Sequence, residues 1–429
     1  MTIVFRDDEL FVREQDAADR LGSYRALFHV PPSERGGESV YMTGNSLGLQ
    51  PRSTRGMIEQ ELDDWARLGV EAHLRGKNPW LPYHERMRDP MARVVGALPH
   101  EVVMMNSLTV NLHLLMVSFY RPTRERYKIV IEDSAFPSDS YAAASQAAYH
   151  GFDPKGAVVR LRPREGEAAL RTEDVLAVLE REGGSVALVM LGAVNYLTGQ
   201  WFEMDRITAA AKKQGCVVGW DLAHAAGNVP VQLHECGGGG VDFAAWCTYK
   251  YLNSGPGAVA GAFVHERHTR GGAGGLPRFA GWWGNDPATR FRMGPEFHPV
   301  ASADAWQLSN PPILALAPVM ASLEIFDRAT MGAIREKSVR LTGYMEWLLN
   351  ARCGGRVRLL TPADPAQRGA QLSIVIPGAG RDIERRLHAE GVIVDFRGPN
   401  VVRAAPTALY NTFADVRGFV GTLARVIGA

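Results

Sequence analysis

The stretch DRITAAAKKQGCVVGWDL, Asp205 to Leu222, decides the fold. Its first half reads as a helix: Asp205 is placed to cap the start, Lys212 and Lys213 suit the last turn, and Gly215 suits the residue just beyond. Its second half is an apolar run that ends in a carboxylate, Asp221, with His224 three residues on. A helix feeding at once into a short, continuously apolar strand is the rhythm of a parallel sheet covered on both faces.

Outward from this stretch the pattern repeats. EVVMMN, YKIVIED, SVALVMLGA, VDFAAWCTY and GAVAGAFVH, all between about residues 100 and 265, are candidate strands of the same kind. They predict an α/β protein with a mostly parallel central sheet flanked by helices and a ligand crevice at the carboxyl ends of its strands. From Pro311 the texture changes to a long helix (ILALAPVMASLEIFDRA, SVRLTGYMEWLLNARCGG) and then to the short strands QLSIVIP and VIVDFRGPNVVRAAP, which predicts a smaller α+β lobe. The expected division is an N-terminal segment, 1–60, joining the small lobe; a large α/β domain, 61–310; and a C-terminal small domain, 311–429. Two glycine clusters, Gly237–Gly240 and Gly271–Gly275, read as surface loops.

Composition narrows the function. The 429 residues carry 47 Lys plus Arg against 46 Asp plus Glu, with no basic run, so nucleic acid is a poor partner. No apolar stretch is long enough for a membrane span, and the charged N-terminus lacks the apolar core of a signal peptide. Cys216, Cys236, Cys247 and Cys353 show no metal-binding spacing. A soluble cytoplasmic protein is the expectation.

Polar chemistry in such a sheet collects at strand ends. Lys250 closes the run VDFAAWCTYK among aromatic and small residues. A lysine there ordinarily lays its stem on apolar surface and keeps its charge wet; held dry, its amine instead attacks a carbonyl. Asp221 is equally a helix cap or a partner for that lysine. A lysine and a carboxylate on separate strand ends facing one crevice are what a pyridoxal phosphate site needs, the first for the Schiff base, the second to keep the pyridine nitrogen protonated. Ser107 and Thr109 open an apolar helix, where free N–H groups bind phosphate, although such residues are as often only caps. Phe136 either lies over a flat ring or packs in the core, and Pro137 stiffens its loop.

With these residues assembled, the sequence closely resembles the kynureninase family, in its bacterial form, which are fold-type I pyridoxal phosphate enzymes related to class V aminotransferases. The resemblance runs over nearly the whole chain: TGNSLGLQP (Thr43–Pro51), GKNPW (Gly76–Trp80), MNSLTVNLHLLM (Met105–Met116), AFPSDSY (Ala135–Tyr141), DLAHAAGN (Asp221–Asn228), TYKYLNSGPG (Thr248–Gly257), GWWG (Gly281–Gly284), SNPPIL (Ser309–Leu314) and RAAPTALYNTF (Arg403–Phe413). It implies that Lys250 is the Schiff-base lysine and Asp221 the pyridinium partner. Leu108 and Thr109 would hold the phosphate, with Tyr249 donating to it and serving as an acid. Phe136 would stack on the ring, while Pro137, Ser138, Asp139 and His224 line the cofactor pocket. Arg403 would grip the substrate carboxylate, and Asn45, Ser46, His73 and Ser309 match substrate positions. Trp282 and Asn310 match positions supplied across a homodimer interface to cofactor and substrate.

The implied reaction is hydrolysis of the Cβ–Cγ bond of L-kynurenine to anthranilate and L-alanine, in tryptophan catabolism. Two positions depart from the family pattern. Gly192 stands where a cofactor-holding Ser occurs, and Asn285 stands where animal members carry a His associated with 3-hydroxykynurenine, which favours plain L-kynurenine over 3-hydroxykynurenine as substrate. A cysteine desulfurase or selenocysteine lyase on the same scaffold would need a reactive thiol, for which Cys353 is the one candidate. A non-catalytic binding protein on this fold predicts a missing lysine or carboxylate, and both are present.

Overall fold

Seven strands make the central sheet of the computed structural model, which describes residues 4–270 and 275–429. In chain order they are β1 (Val102–Met104), β2 (Lys128–Glu132), β3 (Val158–Leu161), β4 (Val186–Gly192), β5 (Val217–Asp221), β6 (Phe243–Trp246) and β7 (Gly261–Val264). Their order across the sheet is β1-β7-β6-β5-β4-β2-β3. β7 runs antiparallel to both of its neighbours, and the five strands from β6 to β3 are mutually parallel. Continuous apolarity buries both faces. Val130, Val189, Leu191, Val218 and Trp220 belong to one core, while the alternating Ile129, Ile131, Leu188 and Met190 belong to another on the opposite side.

The expected strands are all present, and β3 is an addition: an edge strand whose first two residues are half-buried and whose third, Arg160, is exposed, so it makes no continuous apolar run. The helix before β5 spans Met204–Lys213, so Asp205 is not its cap. The cap position is Glu203, and the Asp205 carboxylate instead accepts from the amide of Gly237, 3.0 Å away. Gly215 does take up positive φ (+71°) just beyond the helix. In the first glycine cluster, Gly237 lies in a short 3-10 turn, and residues 271–274 of the second lie outside the described residues.

The later part of the chain forms a four-stranded antiparallel sheet, ordered Arg358–Leu359, Leu372–Val375, Val401–Ala404, Asp395–Arg397. The helices Met331–Cys353 and Phe413–Ile427 share its core with Phe11, Val12 and Met42 from the N-terminal segment. The single long helix expected here is two, Ile313–Ala329 and Met331–Cys353, broken at Thr330, whose φ of +66° no helix accommodates. Leu316, Val319, Leu323 and Phe326 of the first helix pack into the core of the large sheet, not into that of the small one.

Candidate active site

The lateral register brings the site together. Gly192 at the end of β4 lies beside Asp221 at the end of β5, and Asp221 beside Ala245 in β6, four positions before Tyr249. Glu132 ends β2 on the other side of β4. Beyond these carboxyl ends lies a cavity of about 450 Å³ lined by Asn45, Ser46, Ser107, Leu108, Thr109, Phe136, Ser138, Asp139, Asp221, His224, Tyr249, Lys250 and Arg403, together with Glu132, Gly192, Tyr196 and Arg397.

Lys250 is half-buried and its Nζ lies 2.9 Å from His224 Nε2. Burial and the nearby Lys250 charge push His224 well below the ordinary imidazole value, so the ring is neutral and accepts from the ammonium through Nε2. The Phe136 ring stands 5.9 Å from the same Nζ and meets Tyr196 edge to face at 5.2 Å. Burial also raises the Tyr249 hydroxyl above its usual range, which keeps it a proton donor.

Three carboxyls share the floor. Asp221 accepts from the amide of Ala223 at 2.6 Å. Burial, and then the proximity of Asp221, hold Asp139 well above the carboxylate range, so it keeps its proton beside Asp221. Glu132 is raised to about 7 by burial, opposed by hydrogen bonds that include the amide of Gly192, 3.3 Å from each carboxyl oxygen. A Cβ on Gly192 would sit 2.9 Å from Glu132 Oε1, so the space of the expected Ser is occupied by this carboxyl.

The N-terminal segment forms one wall. Gly48 accepts no side chain, since a Cβ there would lie 2.3 Å from the carbonyl oxygen of Lys250, and its amide donates to the carbonyl of Tyr249 at 2.8 Å. Asn45 donates to Gln371 of the small lobe at 2.8 Å. The cavity retains polar capacity that the protein itself does not use. Asn45 Oδ1, Asp139 Oδ1 and His224 Nδ1 are buried without a hydrogen-bond partner, and the Ser107 side chain makes no cap bond at the start of helix Leu108–Phe119. Buried polar atoms are costly unpaired, so these atoms fit the polar groups of a bound ligand, and the free N–H groups of the uncapped helix start suit a phosphate on it.

Several expected residues lie elsewhere in the single chain. His73 packs edge to face on Trp80 at 5.2 Å, Trp282 donates to the Arg290 carbonyl at 3.0 Å, and Ser309 and Asn310 are exposed; none of these lines the cavity, nor does Pro137, the first residue of its helix. Asn285 is buried, its Oδ1 accepting from the amide of His298 at 2.9 Å, so its side chain ties a loop together. Glu132, Tyr196 and Arg397 were not anticipated. A carboxylate closing an apolar strand, the signal that marked Asp221, is equally present in YKIVIED.

The Aminotransferase class-V family matches residues 51–271 and the Kynureninase C-terminal domain family residues 334–423. Among curated proteins, the chain is 58% identical to a kynureninase of Myxococcus xanthus over 98% of its own length and 97% of the relative's. It is 56% identical to one of Koribacter versatilis, with 97% of each chain covered. Among solved structures, a cysteine desulfurase from Thermococcus onnurineus NA1 superposes with a TM-score of 0.73 at 18% identity, covering all of both chains. The Escherichia coli cysteine desulfurase CsdA gives 0.74 at 18% identity over 95% of this chain and 98% of its own. At such identity these two share the fold alone.

The Glu132 carboxyl gives a pH signature. Its folded value of about 7 exceeds the unfolded 4.5, so the folded state retains a proton that the unfolded chain loses. Its stability contribution is therefore full below about 4.5 and is lost as pH rises through about 7, a change on the order of 3 kcal/mol. Urea unfolding of cofactor-free protein should show Glu132→Gln gaining on the parent steadily between pH 4.5 and 7; a constant difference between the two contradicts the assignment. At 58% identity over nearly its whole length, the chain belongs to the kynureninase family.

Proposed function

We propose that the protein is a pyridoxal phosphate-dependent hydrolase that cleaves the Cβ–Cγ bond of L-kynurenine, releasing anthranilate and L-alanine in the cytoplasm as a step of tryptophan catabolism. One observation carries this: in a member of the kynureninase family, Lys250, Asp221 and the start of helix Leu108–Phe119 line one cavity. The cofactor, when bound, draws electrons from the substrate's α-carbon and so allows proton loss there.

The chain's own groups divide the remaining work. Lys250 would hold the cofactor and, once freed by the substrate amine, would take and return the α-proton, with the neutral His224 ring next to its amine. The Asp221 carboxylate, which accepts from the Ala223 amide, would stabilise the proton on the cofactor's pyridine nitrogen. Amides at Leu108 and Thr109, with the Tyr249 hydroxyl, receive the phosphate. Phe136 covers the ring, with Pro137 and Ser138 fixing its turn. Arg403 takes the substrate's carboxylate as a planar fork beside Asn45 and Ser46. The desulfurase alternative lacks its nucleophile: Cys353 is buried in the core of the small lobe, where burial raises the thiol above its ordinary value and suppresses the thiolate.

The active unit is a homodimer in which His73, Trp282, Ser309 and Asn310 reach the partner's cavity. In support, the exposed Trp65 and Leu314 line an apolar cleft with Trp80 and Ile313 on the face that carries His73. The chain divides at 1–60, 61–310 and 311–429, with the packing of helix Ile313–Ala329 moving the last boundary to about Met331.

Purified protein with pyridoxal phosphate should show the visible absorption of bound cofactor and release fluorescent anthranilate from L-kynurenine. Lys250→Ala should lose turnover by at least about a thousandfold; unchanged turnover in that variant, or no anthranilate from the parent, defeats the reading. Trp65→Glu should convert dimer to monomer in sedimentation analysis with loss of turnover, whereas a parent that is monomeric and fully active contradicts the shared site.

A further inference from the structure

Arg403 is not a free fork in this site. Its strand Val401–Ala404 lies antiparallel to Asp395–Arg397, with Asp395 directly opposite Arg403. The buried guanidinium donates through Nε to Asp395 Oδ1 at 2.6 Å and through Nη2 to Asp395 Oδ2, and through Nη1 to the Tyr196 carbonyl at 2.7 Å. A guanidinium has five N–H groups. Three are used here, so one remains on each terminal nitrogen.

A second guanidinium shares the same carboxylate. Arg397 Nη2 lies 3.0 Å from Asp395 Oδ2, its side chain is 37% exposed, and it lines the cavity alongside Arg403. Two guanidiniums on one carboxylate leave a net charge of +1 at the cavity wall, with no further carboxylate among their hydrogen-bonding partners in the described residues. A buried positive charge of this kind favours an anionic group of the ligand, and a guanidinium fixed on two sides presents its remaining N–H groups without the entropy of searching for them.

We propose that Asp395 is a positioning residue that aims Arg403 at the substrate's α-carboxylate, and that Arg397 is a second specificity-determining cation of that subsite. This rests on the amino acid substrate class proposed above. The subsite selects for a carboxylate next to the reacting amine and against amines that lack one. The carboxylate keeps its charge and its contacts throughout the reaction, so the subsite binds ground state and transition state alike and acts on KM more than on kcat.

The test uses holoenzyme carrying Asp395→Asn or Arg397→Gln and three probes: L-kynurenine in turnover, and L-alanine and kynuramine in titrations followed by the cofactor's absorption. Kynuramine keeps the aryl ketone and amine but lacks the carboxylate. Asp395→Asn should raise the KM for L-kynurenine and weaken L-alanine about tenfold or more, with kcat changed less than about threefold and kynuramine binding kept within about twofold. Arg397→Gln, at a partly exposed position that tolerates substitution, should raise the same KM about threefold. Parental KM in both variants overturns the proposal, as does an equal loss for L-alanine and kynuramine. If Asp395→Asn does not fold, Arg397→Gln decides alone. Failure of the parent on L-kynurenine defeats the functional reading, and the contrast between L-alanine and kynuramine still decides this one.

Discussion

Two carboxyl groups in contact away from water cannot both be ionised, and the site is organised around one such pair. Asp221 and Asp139 come from different elements, the end of β5 and the first turn of the helix after β2, and both are buried. One proton between them leaves a single negative charge, which the Ala223 amide and the Lys250 ammonium stabilise. That charge is useful only if a cation or protonated ring arrives opposite it. The neighbouring Glu132 carboxyl, itself raised to about 7, adds a third acidic group that is shared between its protonated and ionised forms near neutrality.

The sheet order is what makes this pairing available. β5 sits between β4 and β6, so the residues that follow three adjacent parallel strands converge on one edge, with β2 beyond β4 adding Glu132 and the Phe136 turn. The opposite wall comes from elsewhere in the chain. The Thr43–Pro51 segment closes on the Lys250 turn through Gly48, and the small antiparallel sheet contributes Arg397 and Arg403. Neither core alone encloses the cavity, so binding depends on how the small sheet and the N-terminal segment are held against the large one.

Much of this was legible because burial on both faces of a parallel strand demands unbroken apolar runs, and a charged residue ending such a run is conspicuous. Asp221 and Lys250 were found in that way. Other parts left weaker traces. β3 is interrupted by the exposed Arg160 and so makes no apolar run, and the break falls at Thr330, while the nearby Gly332 lies inside the second helix and does not mark it. Glu132 was hidden by Asp133, which makes the end of β2 look like a polar loop. Arg397 sits in a hairpin, where a charged residue ordinarily faces solvent, and only the cross-strand register reveals that it shares a carboxylate with Arg403. His73, Trp282, Ser309 and Asn310 stood out through the family resemblance alone, since no property of a single chain draws them to the cavity.

The most direct test of the account is to reduce the cofactor-loaded protein with borohydride, digest it and map the covalent label by mass spectrometry. A pyridoxyl group on Lys250, in the peptide carrying TYKYLNSGPG, is the predicted result. A label on any other lysine, or none on protein that retains the cofactor's absorption, would contradict the site built here around Asp221 and Lys250.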